Sequence, residues 1–309
     1  EKKFGKPGPH YGEALFAGRY GLPDAEARLL KVVMDESQPE IVRATAVSLL
    51  PGYLSQTSAQ VLQVIAQGDD ALLHLGLAQA LENVPERIRP ALAIPLLYED
   101  EKVITSLAAN AMVGAPLAQY PDEVRQQFND GLTNYQQSEI FNSDRPESLA
   151  NLAGMYFQQG QPAKSEKTYR DAIALEPGYS PAYINLADLY RATGRESESE
   201  ATLRQALDVV FDKTPIQHAL GLSLVRQKKL KQALDVLRLS AHSDTAPPRY
   251  VYVYAIALNS VGQPEKAIEE LEQALARFPR DRQILSALAS IHHEQGNEAA
   301  AHKYQQQLP

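Results

Sequence analysis

The sequence has no cysteine and no tryptophan among its 309 residues, and only three methionines. Without cysteine the chain can form no disulfide, no thiolate metal site, no covalent haem attachment through C-x-x-C-H and no cysteine nucleophile. That absence leaves the compartment open, because a cysteine-free chain suits oxidising and reducing surroundings equally. No apolar run approaches the ~18 residues a membrane-spanning helix needs, and no signal-peptide pattern is visible. The first residue is Glu1 rather than Met, which reads as a processed protein or an excised piece. Catalytic signatures are also missing. There is neither a G-x-x-x-x-G-K-[ST] phosphate loop nor a G-x-G-x-x-G fingerprint. His293-Glu294-Gln295-Gly296-Asn297 opens like a zinc-protease motif but lacks the second histidine. Gly178-Tyr179-Ser180-Pro181-Ala182 imitates a nucleophile elbow, which needs a strand-to-helix turn; Ser180 reads instead as a helix N-cap. The seven histidines are scattered and form no ligand set. The reading is a non-enzymatic chain with no metal or cofactor of its own.

What is present argues for a folded, acidic protein. At 44% hydrophobic and 22% charged, the chain can bury a sizeable core. Its net charge of −8 is uneven: residues 1–145 carry −7 and residues 146–309 carry −1. An acidic surface repels phosphate backbones, so nucleic acid is excluded as a partner. The one basic cluster, Arg226, Lys228, Lys229 and Lys231, reads as a solvated turn or as a patch for an acidic partner.

Self-similarity decides the fold. Gly160, Gly194, Lys228, Gly262 and Gly296 stand at equal intervals along the chain, a 34-residue period. A small residue lies seven before each: Ala153, Ala187, Gly221, Ala255 and Ala289. Another lies five after: Ser165, Ser199, Ala233, Ala267 and Ala301. Period and small–large alternation resemble the tetratricopeptide repeat, a pair of antiparallel helices joined at a left-handed residue. Units are expected to start near residues 146, 180, 214, 248 and 282, within a domain spanning 146–309. Residues 249–254 alternate like a β-strand, but the register places them on a first helix. The earlier part repeats less clearly. Residues 24–117 read as helix pairs 24–35 with 40–53, 57–67 with 70–83, and 88–98 with 102–113. Pro39, Asp70 and Glu101 stand at the starts of the second helices, where such residues are favoured. These resemble short HEAT-type repeats, giving a HEAT-like region over 23–117. A joining helix is expected within 118–145, and an N-terminal arm over 1–22 with one short helix near 12–18. The fold class is therefore all-α: a right-handed α-α superhelix of HEAT-like pairs followed by tetratricopeptide pairs.

In such stacks the first helices line the binding surface. The register then nominates a peptide groove with candidates Asn151, Asn185, Asp188, Arg191, His218, Arg226, Tyr252 and Asn259. Asn151 and Asn185 occupy equivalent places, and an amide can both donate to and accept from an extended backbone. Asp188 and Arg191 are spaced to pair with each other or with a ligand. Chaperone-binding tetratricopeptide proteins grip a C-terminal carboxylate with Lys and Arg in this groove. The corresponding positions here are Ala150, Gly154, Asn185, Pro215 and Ala219, so only the Asn matches and that role is excluded.

Several stretches carry a wider resemblance. They are His10-Tyr11-Gly12-Glu13-Ala14 with Gly18-Arg19, Ile41-Val42-Arg43-Ala44-Thr45-Ala46, Asp144-Arg145-Pro146-Glu147, Asn185 to Arg191, His218 to Leu222, and Tyr254 to Ser260. Together they resemble the C-terminal HEAT and tetratricopeptide region of bacterial multihaem c-type cytochrome family proteins. The resemblance implies a periplasmic scaffold beside electron transfer, with a haem module upstream in the same polypeptide. The expected partner is a protein or peptide. The alternative is a stand-alone tetratricopeptide adaptor that binds a peptide or a subunit of a larger complex.

Overall fold

The computed structural model describes residues 10–22 and 24–308. Among them every regular element is helical, with no strand. They divide into two units, one up to Asn142 and one from Ser143 onward. No helix is long and apolar enough to cross a membrane among the described residues.

The first unit contains α1 (Tyr11–Tyr20), α2 (Ala25–Met34), α3 (Glu40–Leu49), α4 (Gln56–Ala66), α5 (Ala71–Ala80), α6 (Arg89–Leu96), α7 (Lys102–Ala111) and α8 (Asp122–Phe141). The helices α3, α5 and α7 begin at an even spacing, at Glu40, Ala71 and Lys102, with Pro39, Asp70 and Glu101 at their N-caps. Asp70 caps through its side chain, accepting the N–H groups of Leu72 and Leu73 at 3.1 Å. Two crossings depend on glycine. A Cβ on Gly76 of α5 would lie 2.3 Å from the Ala44 carbonyl oxygen of α3. One on Gly131 of α8 would lie 2.7 Å from the Thr105 carbonyl oxygen of α7. His74 of α5 is buried, and its Nε2–H donates to the Ile65 carbonyl at 2.7 Å. Its Nδ1 meets Glu99 at 2.9 Å, tying α5 both to α4 and to the turn before α7.

The short helix expected near 12–18 is present and longer: α1 spans ten residues and packs on α2 and α3. Two glycines of this segment have structural roles. At Gly18 a Cβ would stand 3.0–3.1 Å from Leu29 and Leu49, and the Gly18 carbonyl accepts the Tyr53 hydroxyl at 2.6 Å. Gly21, at φ 64°, closes the helix. Residues 1–9 of the expected arm lie outside the described residues.

The second unit contains α9 (Pro146–Gln158), α10 (Pro162–Leu175), α11 (Ser180–Ala192), α12 (Glu196–Val209), α13 (Thr214–Arg226), α14 (Leu230–Ala241), α15 (Pro248–Ser260), α16 (Pro264–Arg277), α17 (Arg282–Glu294) and α18 (Glu298–Gln305). The first helices of the pairs begin at 146, 180, 214, 248 and 282, in step with the sequence repeat. Each pair turns at a left-handed residue: Gly160, Gly194, Gly262 and Gly296 at φ 73–76°, and Lys228 at 58°. The same backbone bonds close the turn with or without glycine. Gln161 N–H donates to the Tyr156 carbonyl at 2.8 Å, and Lys229 N–H to that of Leu224 at 2.9 Å. The small residues of the register, Ala153, Ala187, Gly221, Ala255 and Ala289, are all buried. The strand-like run at 249–254 is helical in α15, where Val251, Tyr254, Ala255 and Leu258 face the core. Ser180 is not the N-cap. The Ala182 N–H donates to the Tyr179 carbonyl at 3.2 Å, so α11 starts one residue earlier, with Tyr179 at the cap and no side-chain cap bond.

Charged groups join successive pairs in the same register. Glu166 of α10 accepts from Arg195 at 2.6 Å and from the Tyr190 hydroxyl at 2.9 Å. One repeat later, Glu200 of α12 accepts from Lys229 at 2.6 Å and from Gln227 at 2.8 Å. Half of the basic cluster is thus engaged within the unit, since Arg226 also meets Glu196 at 2.9 Å.

Candidate functional site

Three successive first helices, α11, α13 and α15, and the inner side of α12 enclose an open cleft of about 350 Å³. Its lining is mixed. Ile184, Leu203 and Leu222 supply apolar surface; Asp188, Ser199, His218, Arg226, Arg249 and Tyr250 supply polar groups. A helix presents residues three and four apart on one face, which is how Ile184 and Asp188 arrive together on α11, and His218 and Leu222 on α13. The His218 ring lies flat on Tyr250, with centroids 3.9 Å apart and planes 11° from parallel. Burial, and secondarily the charge of Arg249, pull the imidazole down to about 4, so at neutral pH it is uncharged.

Three of the eight candidates line this cleft: Asp188, His218 and Arg226. Arg191 adjoins it through Asp188, donating from Nε at 3.0 Å. Arg226 is held by Glu196, its Nε donating at 3.1 Å. The other four stand elsewhere. Asn151 on α9 and Asn185 on α11 are exposed outside the cleft. Tyr252 is partly buried against the apolar core that α14 to α18 share. Asn259 donates to Glu294 at 3.0 Å, bridging α15 to α17. Sequence reasoning missed Ser199, Arg249 and Tyr250. Arg249 and Tyr250 sit in the first turn of α15, before the positions that the register nominates. Their legible signal was the shared face of Tyr250 and Tyr254. Among the described residues, no three of His, Asp and Glu gather to hold a metal ion.

A comparison with curated proteins gave no match. Similar solved structures include MamA from Desulfovibrio magneticus RS-1, at 17% identity, covering 52% of this chain and 91% of that one with a TM-score of 0.44. YrrB, described as a TPR protein with an unusual peptide-binding site, is 15% identical over 55% of this chain and 88% of that one, at 0.42. PilW, described as a widely conserved type IV pilus biogenesis factor, is 17% identical over 68% and 92%, at 0.49. Family models are more specific about the repeats. Two tetratricopeptide repeat models match the chain, one over residues 156–222 and the other over residues 248–291, both within the second unit.

Proposed function

We propose that this chain is a non-enzymatic protein-interaction scaffold whose second unit holds an extended segment of a partner against α11, α13 and α15. The observation that carries the reading is the cleft: three first helices of successive repeats share one open surface with apolar and polar lining. Stacked helix pairs use such surfaces for binding, and alternating apolar and hydrogen-bonding groups suit an extended peptide. A photo-crosslinking side chain in place of Leu222, inside the cleft, tests it in the native host. A defined partner joined from Leu222, and not from Arg204 outside the cleft, supports the reading. Equal labelling from both positions, or none from Leu222, refutes it.

The setting proposed for this scaffold is the periplasm, as the repeat region of a multihaem cytochrome-type protein, with HEAT-like pairs over 23–117 preceding the tetratricopeptide domain. This part rests on sequence resemblance alone. A chain with no cysteine attaches no haem covalently, so haem belongs to the upstream module. A stand-alone adaptor is the alternative. A visible spectrum with intact mass, taken on the protein from its native source, separates them. Haem bands and a mass well above 34.0 kDa support the cytochrome setting, and a colourless protein of that mass supports the adaptor.

A further inference from the structure

The cleft contains polar groups that the fold leaves unused. His218 is only 7% exposed, and its Nδ1 has no hydrogen-bond partner among the described residues. Ser199, 1% exposed, has a hydroxyl in the same condition. A buried polar atom left unpaired costs on the order of 1–3 kcal/mol, and both of these belong to residues that line the open cleft, where a ligand that reaches them recovers that cost. The serine alone is weak support, since Ser165, one repeat earlier, is also unpaired. His292 Nδ1 on α17 is likewise unpaired among the described residues, with its ring stacked on Tyr304, but His218 differs in lining the cleft and in its register position. The equivalent positions of the neighbouring repeats hold Ala150, Ile184 and Tyr252, and only this unit puts an imidazole there.

The surrounding charges indicate what the ligand carries. Arg226 is neutralised by Glu196 at 2.9 Å, and Arg191 and Asp188 neutralise each other at 3.0 Å. Asp212, just before α13, accepts the Thr214 backbone N–H at 3.0 Å. Arg249 is exposed at the rim, and its guanidinium has no ion pair or hydrogen bond among the described residues. Asp212 keeps its charge but does not line the cleft; among the described residues that do, Arg249 is the one charge without an ion pair, and it is positive. It stands beside an imidazole fixed in orientation by Tyr250 and uncharged at neutral pH, which can offer Nδ1–H as a donor.

We infer that the cleft recognises the side-chain carboxylate of an Asp or Glu within an extended, partly apolar segment of a partner protein. The His218 Nδ1–H donates to the carboxylate, and Arg249 supplies the opposing charge. Ser199 donates to the same segment, and neighbouring apolar side chains rest on Ile184 and Leu222. This deepens the peptide-scaffold reading and depends on it. It differs from capture of a chain terminus, because the ligand group is a side chain.

Short random peptide pools, acetylated and amidated so that no terminal charge remains, test the inference on the full chain. Each pool has one fixed central residue: Glu, Gln or Lys. The Glu pool should be retained about tenfold better than the Gln pool, the effect of one charge-assisted hydrogen bond. It should also shift the imidazole nitrogen signals of His218. Arg249→Gln, an exposed change, and His218→Phe, which keeps the stack on Tyr250, should each bring the Glu pool down to the Gln level with the circular dichroism unchanged. Equal retention of the Glu and Gln pools, or preference for Lys, overturns the carboxylate subsite and leaves the peptide groove standing. Retention of no pool above a Leu222→Glu control overturns both.

Discussion

Replacing Gly76 by alanine should separate two helices that now touch backbone to backbone. The added Cβ would sit 2.3 Å from the Ala44 carbonyl oxygen, 3.0 Å from its carbon and 3.1 Å from its Cα. All three are main-chain atoms, so no rotamer change relieves the overlap. Restoring ordinary contact requires α3 and α5 to part by about 1 Å, and a gap of that size forfeits a quarter to a half of each dispersion contact across it. The contacts at stake are dense, since Ala46, Val47 and Leu77 are fully buried. Overpacking costs typically about 1–3 kcal/mol, while the better helix propensity of alanine returns at most about 1 kcal/mol. The net loss should be about 1–2 kcal/mol, or roughly 4–8 °C in the melting midpoint of a unit this size. Circular dichroism measures the midpoint. Peptide-resolved hydrogen exchange should show protection falling first in α3 and α5. Gly52→Ala is the control: nothing lies within 4 Å of its Cβ position, and its effect should stay within about 0.5 kcal/mol. A Gly76→Ala protein that melts at or above the parent would refute the close-crossing argument.

Two further expectations concern the second unit. Lys228→Gly relieves a left-handed lysine at φ 58°; glycine's larger unfolded-state entropy offsets part of the gain, leaving a stabilisation of about 0.5 kcal/mol. A denaturant midpoint lowered by this change would contradict the shared turn geometry. Burial would raise the Glu200 carboxyl, but hydrogen bonds from Lys229, Arg204 and Gln227 outweigh it and hold the group at about 2. The group is depressed on folding, so its contribution is fully present above the unfolded value near 4.5 and is lost as pH falls toward 2. With its partners half exposed, the loss should be on the order of 1 kcal/mol. Glu200→Gln should flatten that part of the acid-unfolding profile, and an unchanged profile would count against the pairing.

The helix pairs of the second unit were legible because each is specified locally and repeatedly. A left-handed position once per repeat, with small residues seven before and five after it, recurs in five copies. Repetition also overruled the strand-like composition of residues 249–254. Gly18 and Gly76 show what a local reading leaves out. A glycine within a helix carries no sign of its neighbour, and only the packed helices reveal it as a point of contact. The site was legible in part for the same reason. Periodicity nominated Asp188, His218 and Arg226, which the cleft brings together. It also nominated Tyr252 and Asn259, which the next pairs occupy, and it passed over Arg249 and Tyr250.

By itself, then, the sequence determined an all-helical chain, the repeating helix-pair unit and the absence of cysteine chemistry, because these follow from spacing and composition. Tertiary structure alone decided which polar groups are already satisfied. Arg226 has Glu196 and Asn259 has Glu294, whereas His218 Nδ1 has no partner and Arg249 no counter-charge among the described residues. Hydrogen bonding depends on distances of about 3 Å between side chains a whole repeat apart in the chain, and those are fixed only when one repeat packs on the next.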